Sequence, residues 1–388
     1  MQLSHENYPT RWFVLLAAWV LAGLMLFSQA GKMRDYLAIV SQLGLRGAPA
    51  AATPLTQPFP AFAADGQTWV RHALALHEGD AFQLRFTSID NAPDGREVHW
   101  NSVWAWTILG AGQIHRLFTG LPLPTAVEHA TLWLTPLVLL VLIVGFSVWA
   151  TRRAGIIAGI IVIAAMTCSD RMYEGFFPTY VDHHGLLTVA VFGLMLGAVF
   201  MGGGWWVEGT QNKPAILPDS RVKVREAAVL SALSGAFGIW VSAASTIPPI
   251  ALVGICGLLA VLVQGRKAAQ DGAAFDGSAW RLWGRVGAGA SFVFYLVEYF
   301  PGHMEMRLES NHPFHALAWL GGGELMAALC ERWLAAPEDR WRGAHRLIWP
   351  VLAIAVAPLT IAVGGQKVFI PLDPFLSRLH SDYIQEFL

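Results

Sequence analysis

Nine apolar runs, most of them near the 20 or so residues that cross a bilayer, decide what this chain can fold into. They fall at residues 12–29, 130–150, 154–168, 185–204, 226–246, 249–264, 286–300, 314–330 and 345–363. A lipid interior offers no water to backbone donors and acceptors, and a helix satisfies them within its own segment. The 388 residues are 55% hydrophobic and only 14% charged, against about 25% charged in a soluble domain. The expectation is an all-α polytopic membrane protein. The third and seventh runs are short and are expected to extend into flanking residues or to tilt.

Lys and Arg in the short loops set an orientation. Arg152 and Arg153 follow the second run, and Lys213, Arg221, Lys223 and Arg225 follow the fourth. Arg266, Lys267, Arg281 and Arg285 follow the sixth, and Arg332, Arg340, Arg342 and Arg346 the eighth. Every second loop is basic, which places these loops and the N-terminus in the cytoplasm and the chain in the inner (plasma) membrane. Ser28-Gln29-Ala30 has the form of a cleavage site, but the run before it exceeds an h-region of about 7–15 residues. It reads as an uncleaved anchor.

The external side then holds a long first loop, residues 31–129, three short pieces and a tail, residues 364–388. The short pieces are Ser169 to His184, Thr246 to Pro249 and Pro301 to Pro313. Within the long loop, Gly47 to Ala64 is an Ala/Pro connector. Thr68 to His77 and Glu97 to Leu117 pattern as helices, the second with Trp100, Trp104 and Trp106 suited to the membrane interface. Trp12, Trp205, Trp206, Trp280 and Trp333 end apolar runs, where interfacial Trp belongs. A net charge of −1 makes no case for nucleic acid. Cys168, Cys256 and Cys330 are far apart and read as packing. No internal repeat is visible.

Chemistry concentrates in Tyr180-Val181-Asp182-His183-His184-Gly185, where a carboxylate and two imidazoles precede a membrane helix. Ionisable groups at such a place handle an ion, a proton or a phosphate. Asp182 also has a reading as a helix cap. Neighbouring residues on a helix point about 100° apart, so one imidazole is functional, His184, and His183 points elsewhere. The external side adds Asp90 in a Pro/Gly turn and Glu305, Arg307, Glu309 and His312 before the eighth run. It also holds Arg378, His380, Asp382 and Glu386 in the tail. Glu305 and Glu309 also fit a salt-bridged turn around Arg307. Carboxylates and imidazoles from several loops suit a divalent cation, which would neutralise charge on a phosphorylated leaving group. Arginines beside them supply phosphate contacts.

This arrangement resembles the GT-C membrane glycosyltransferases, above all the catalytic subunit of oligosaccharyltransferases, with the likeness running over nearly the whole chain, residues 1–388. That family has a catalytic Asp in its first external loop, a DxE-type motif between spans three and four, and a TIxE-type motif after span nine. Here the matching positions hold Asp90, Asp182-His183-His184 and Tyr383-Ile384-Gln385-Glu386. His184 replaces the last acid of the first motif and Tyr383 the Thr of the second. The resemblance implies that Asp90, Asp182 and Glu386 hold Mg²⁺ or Mn²⁺, with His184 a further ligand or its neighbour. It implies a polyprenyl-(di)phosphate sugar donor and an unidentified acceptor, oriented or deprotonated by Asp90, at the external face. Arg307, Arg378 and His312 would bind substrate. The chain ends a few residues into the loop after span nine, in a stretch that reads as part of a longer protein.

Two other classes compete. A transporter or lipid flippase would use in-span acids, here Glu298 and Glu324, whereas coupled transporters place such groups near the midplane. A non-catalytic scaffold would not need Asp90 or Asp182.

Overall fold

The computed structural model describes residues 8–44, 64–88, 91, 93–178, 180–208, 217–302, 305–340 and 342–370. It is all-α apart from three two-stranded ribbons, with twelve α-helices among the described residues. Helices occupy all nine expected places, and six of them are long and apolar enough to cross a membrane. The protein is an all-α polytopic membrane protein. Two compact units divide it: residues 1–84 with 102–189, and residues 85–101 with 190–388.

In the first unit, α1 (Tyr8–Gly44), α4 (Leu123–Ala154) and α5 (Ile156–Cys168) pack together. Trp19 Nε1 donates to Ser147 Oγ at 2.8 Å, tying α1 to α4. Short helices follow the anchor: α2 (Ala64–Glu78) and α3 (Val103–Thr119), which lies along α4. A Cβ on Gly112 would sit 2.3 Å from Val127, so only glycine lets α3 approach α4 this closely. The helix expected from Glu97 begins at Val103 instead, because Arg96 and Glu97 form a strand. Trp104 in α3 is 1% exposed. It packs inside the unit rather than lying in the interface. The Ala/Pro connector falls almost wholly outside the described residues.

α6 (Asp170–Gly175) leads to α7 (His184–Met201), which starts in the first unit and continues in the second. The second unit is built on α8 (Arg221–Val241), α9 (Ala243–Gln270), α10 (Gly277–Glu298), α11 (Pro313–Leu334) and α12 (Ile348–Gly364). Small residues set the α10–α11 contact: a Cβ on Gly323 would lie 2.6 Å from the Cα of Gly284. With lipid as apolar as leucine, this close packing is what joins helices. Charges on α10 and α11 pair across this contact. Arg281 Nε donates to Glu324 at 3.0 Å and Nη1 to Glu331 at 2.6 Å.

Two sequence expectations change here. The break between the fifth and sixth spans was expected at Thr246 to Pro249, but the chain turns at Ser242 and both prolines lie within α9. They lie just past the first turn of α9, where each removes one i→i−4 hydrogen bond. Trp205 and Trp280 are buried at 7% and 2% exposure rather than interfacial. Trp280 Nε1 donates to the carbonyl of Gly203 at 2.9 Å, and its ring fills the space left by Gly257.

The three ribbons all belong to the second unit. β1 (Phe86–Thr87) pairs antiparallel with β2 (Arg96–Glu97), β3 (Trp205–Trp206) with β4 (Ala274–Phe275), and β5 (Met306–Arg307) runs parallel to β6 (Phe369–Ile370).

Candidate functional site: a buried carboxylate between two imidazoles

The segment before α7 is held from three sides, all within the first unit. Thr135 Oγ1 on α4 donates to the carbonyl of Phe177 at 3.3 Å. Gly175, at the end of α6, meets Gly185, in the first turn of α7: a Cβ on Gly185 would stand 2.2 Å from the Gly175 carbonyl oxygen. Glycine at both places is a steric requirement, and it brings two helix ends together around residues 176–183. On the third side, Trp69 of α2 donates its indole N–H to Asp182 Oδ1 at 2.9 Å.

Asp182 is 2% exposed. Its Oδ1 also accepts the backbone N–H of His183 at 2.5 Å, and the Tyr180 hydroxyl lies 3.2 Å from its Oδ2. His184 Nδ1 stands 3.1 Å from Oδ2, and His183 Nδ1 2.6 Å from Oδ1. The Tyr180 hydroxyl is also 3.0 Å from His184 Nδ1. Burial pushes the Asp182 carboxyl up. The hydrogen bonds and charge of His183 and His184 more than offset it and hold the group well below the usual carboxylate range. The site therefore keeps a desolvated anion at neutral pH.

His183 does not point elsewhere. It precedes the first residue of α7, so the 100° spacing of helical neighbours does not apply to it, and both imidazoles face the same carboxylate. The three side chains offer ligand atoms within 4.8 Å of one another. His183 Nδ1 is buried, with Asp182 Oδ1 beside it at 2.6 Å. Two imidazoles gathered on one ionised carboxylate fit a cation as their common partner. One oxygen and two nitrogens form a donor set suited to Mn²⁺ or Zn²⁺ more than to Mg²⁺. The half-exposed His184 ring opens the cluster to solvent.

The remaining expected residues stand as follows. Asp90, Arg378 and Glu386 lie outside the described residues. Arg307, in the second unit, is 6% exposed, and its Nη2 donates to Glu97 and, at 2.9 Å, to Glu305. His312 begins α11 as its cap, Nδ1 accepting the Phe314 backbone N–H at 3.2 Å. It also lines a pocket of about 280 Å³ with Glu305, Thr360 and Lys367. Sequence reading missed Trp69 and Tyr180. Tyr180 had a legible sign in its spacing of four from His184. Trp69 had none.

The in-span acids are both engaged. Glu298 is fully buried, with Arg85 Nη2 donating to Oε1 at 2.5 Å and Trp240 Nε1 to Oε2 at 2.9 Å. Glu324 is paired with Arg281.

No protein-family model matches the chain, and no curated protein does. Solved structures do. One is the Archaeoglobus fulgidus oligosaccharyltransferase tethered with an acceptor peptide containing the NVT sequon, at 16% identity and a TM-score of 0.55 over 90% of this chain and 38% of that one. Another is AglB from the same organism in complex with an inhibitory peptide and a dolichol-phosphate, at 16% identity and 0.56 over 92% and 38%. A third, of the A. fulgidus enzyme with Zn and sulfate, matches at 16% identity and 0.52 over 90% and 40%. The chain thus spans about two fifths of the length of the structures it matches. The likeness runs over nine tenths of the chain at an identity that speaks for fold alone, and the fold is like that of these oligosaccharyltransferase structures.

Proposed function

We propose that this protein is a membrane glycosyltransferase that moves a sugar or oligosaccharide from a polyprenyl-(di)phosphate donor to an acceptor at the external membrane face. The observation that carries this reading is the desolvated Asp182 carboxylate, flanked by two imidazoles at the mouth of α7, in a chain with an oligosaccharyltransferase-like fold. One structure sharing that fold is a complex with a dolichol-phosphate and another with Zn. A donor of the first kind and a cation of the second suit what this chain presents.

Asp182, His183 and His184 would hold the cation, with Asp90 and Glu386 as further ligands from the first external loop, residues 31–129, and the tail, residues 364–388. Such a cation, when bound, would supply positive charge to the departing phosphate. In the transfer, the bond between the anomeric carbon and the phosphate oxygen breaks and the bond to the acceptor forms. The proton of the acceptor passes to a base, the role assigned to Asp90. Trp69 and Tyr180 keep the Asp182 carboxylate fixed and anionic. Arg307, Arg378 and His312 are assigned to the donor phosphate, and Arg307 would reach it only by exchanging Glu97 or Glu305.

The transporter reading loses ground because Glu298 and Glu324, the acids it would employ, are each locked to an arginine. The deciding assay presents a radiolabelled polyprenyl-linked sugar to the protein in proteoliposomes, with and without chelator. Transfer that Asp182→Asn removes, while the folded protein remains in the membrane, is the expected result. Undiminished transfer by that variant would overturn the assignment.

A further inference from the structure

A second built site lies in the connector between α11 and α12 of the second unit, far along the sequence from Asp182. The last turn of α11 carries Arg332 and Trp333, and Arg340 follows a short helical turn at Pro337–Asp339. Trp333 has two guanidinium groups over its ring, Arg266 from the end of α9 at 4.7 Å and Arg340 at 5.4 Å. Two cations gathered on one indole repel each other unless an anion joins them. Arg332 Nη2 caps the connector by donating to the carbonyl of Gly343 at 2.8 Å.

Three N–H donors in this small region are buried without an acceptor: Arg332 Nε, Trp333 Nε1 and Arg340 Nε. Unpaired buried donors are costly, and three within nine residues of sequence call for a shared acceptor with several oxygens. Acids of this chain do not supply it. Among the described residues, the one carboxylate paired with an arginine of the connector is Asp339, with Arg342 at 3.6 Å. Beside the donors, the first turns of α12 present Ile348, Trp349, Val351 and Leu352 as exposed apolar side chains. Donors for an anion next to a lipid-facing apolar surface match a headgroup with its acyl chains attached.

We propose that this connector binds the phosphodiester headgroup of an anionic phospholipid, with Arg332, Trp333 and Arg340 donating to its oxygens and Arg266 alongside. The acyl chains would lie along the exposed face of α12. Arginine and indole at headgroup depth make charge-assisted contacts that a zwitterionic headgroup weakens by bringing its own cation.

The test is native mass spectrometry of the full chain released from detergent, titrated with phosphatidylglycerol or phosphatidylcholine. The wild type is expected to retain phosphatidylglycerol with a preference of about tenfold, the scale of one charge-assisted contact. Trp333→Phe removes one donor and keeps an aromatic ring, and Arg340→Gln removes one charge. Each is expected to cut the preference at least severalfold, whereas Arg152→Gln, in a different basic loop, leaves it intact. A variant that loses its melting transition leaves the other to decide. Equal retention of both lipids by the wild type, or an unchanged preference in the folded variants, would overturn the proposal. Full displacement of phosphatidylglycerol by excess inorganic phosphate would also overturn it, in favour of a free-phosphate site.

Discussion

The indole nitrogen of Trp69 lies 2.9 Å from Asp182 Oδ1, joining two residues 113 positions apart into one buried donor–acceptor pair. Trp69 itself is 2% exposed. Its hydrogen bond goes to an ionised acceptor, the stronger kind. Trp69→Phe keeps most of the packing and removes this donor, so a stability loss of about 1.5–3 kcal/mol is expected, read as a lowered melting temperature. The same variant should raise the acid–base midpoint of Asp182, followed by carboxyl ¹³C NMR.

Asp182→Asn tests the cluster as a cation site without reference to turnover. An amide is a far poorer metal ligand than a carboxylate, so binding of Mn²⁺ or Zn²⁺, followed by calorimetry, should weaken by at least tenfold. His183→Gln should weaken it as well, because His183 faces the carboxylate at 2.6 Å. An effect of His184→Gln alone would return His183 to a packing role.

Gly185→Ala places a methyl group 2.2 Å from the Gly175 carbonyl oxygen. Backbone meets backbone there, so neither side yields easily, and a destabilisation of about 1–3 kcal/mol is expected. The displaced helix mouth should lower metal affinity too. Gly289→Ala, where nothing lies within 4 Å of the added carbon, is the matched control and should be neutral or slightly stabilising.

Glu298→Gln separates a structural acid from a transport acid. The carboxylate is fully buried and engages Arg85 and Trp240. Breaking a buried pair costs about 3–5 kcal/mol, and the partial exposure of Arg85 places this one at the lower end. The expected result is a lower melting temperature. A normal melting temperature with lost proton-coupled flux in proteoliposomes would instead favour the transporter class.

Asp276 gives a pH dependence with a definite sign. Burial raises its carboxyl, but hydrogen bonds and charge from Arg221, with Ser278, bring it down from 3.8 to about 2. A depressed carboxylate contributes stability that is complete above its unfolded value and fades as pH falls toward the folded one. The acid limb of the stability profile between pH 4 and about 2 should therefore flatten in Asp276→Asn. With Arg221 half exposed, the effect is on the order of 1 kcal/mol.

Legibility followed the range of the interactions. Helix places came from runs of apolar residues, a local signal, and all nine held a helix. The site's core segment was equally legible, since Asp182, His183 and His184 are neighbours. Their division into one working and one idle imidazole failed, because the helix start decides where side chains point and a one-residue difference reverses the geometry. Arg307 showed its charge in the sequence but not its engagement: Glu97, which holds it, is 210 positions away.

What the sequence by itself determined is the solvent of this protein, the sites of its helices and the cluster at the mouth of α7. Hydrophobic length and neighbouring ligands are properties of contiguous residues. The tertiary structure alone decided that Trp69 fixes Asp182, that Glu298 is locked to Arg85, and that Gly175 meets Gly185. It also decided that unpaired donors gather at Trp333. Each of these depends on which distant segments pack together, and packing is chosen by shape and desolvation across the fold, which no local pattern encodes.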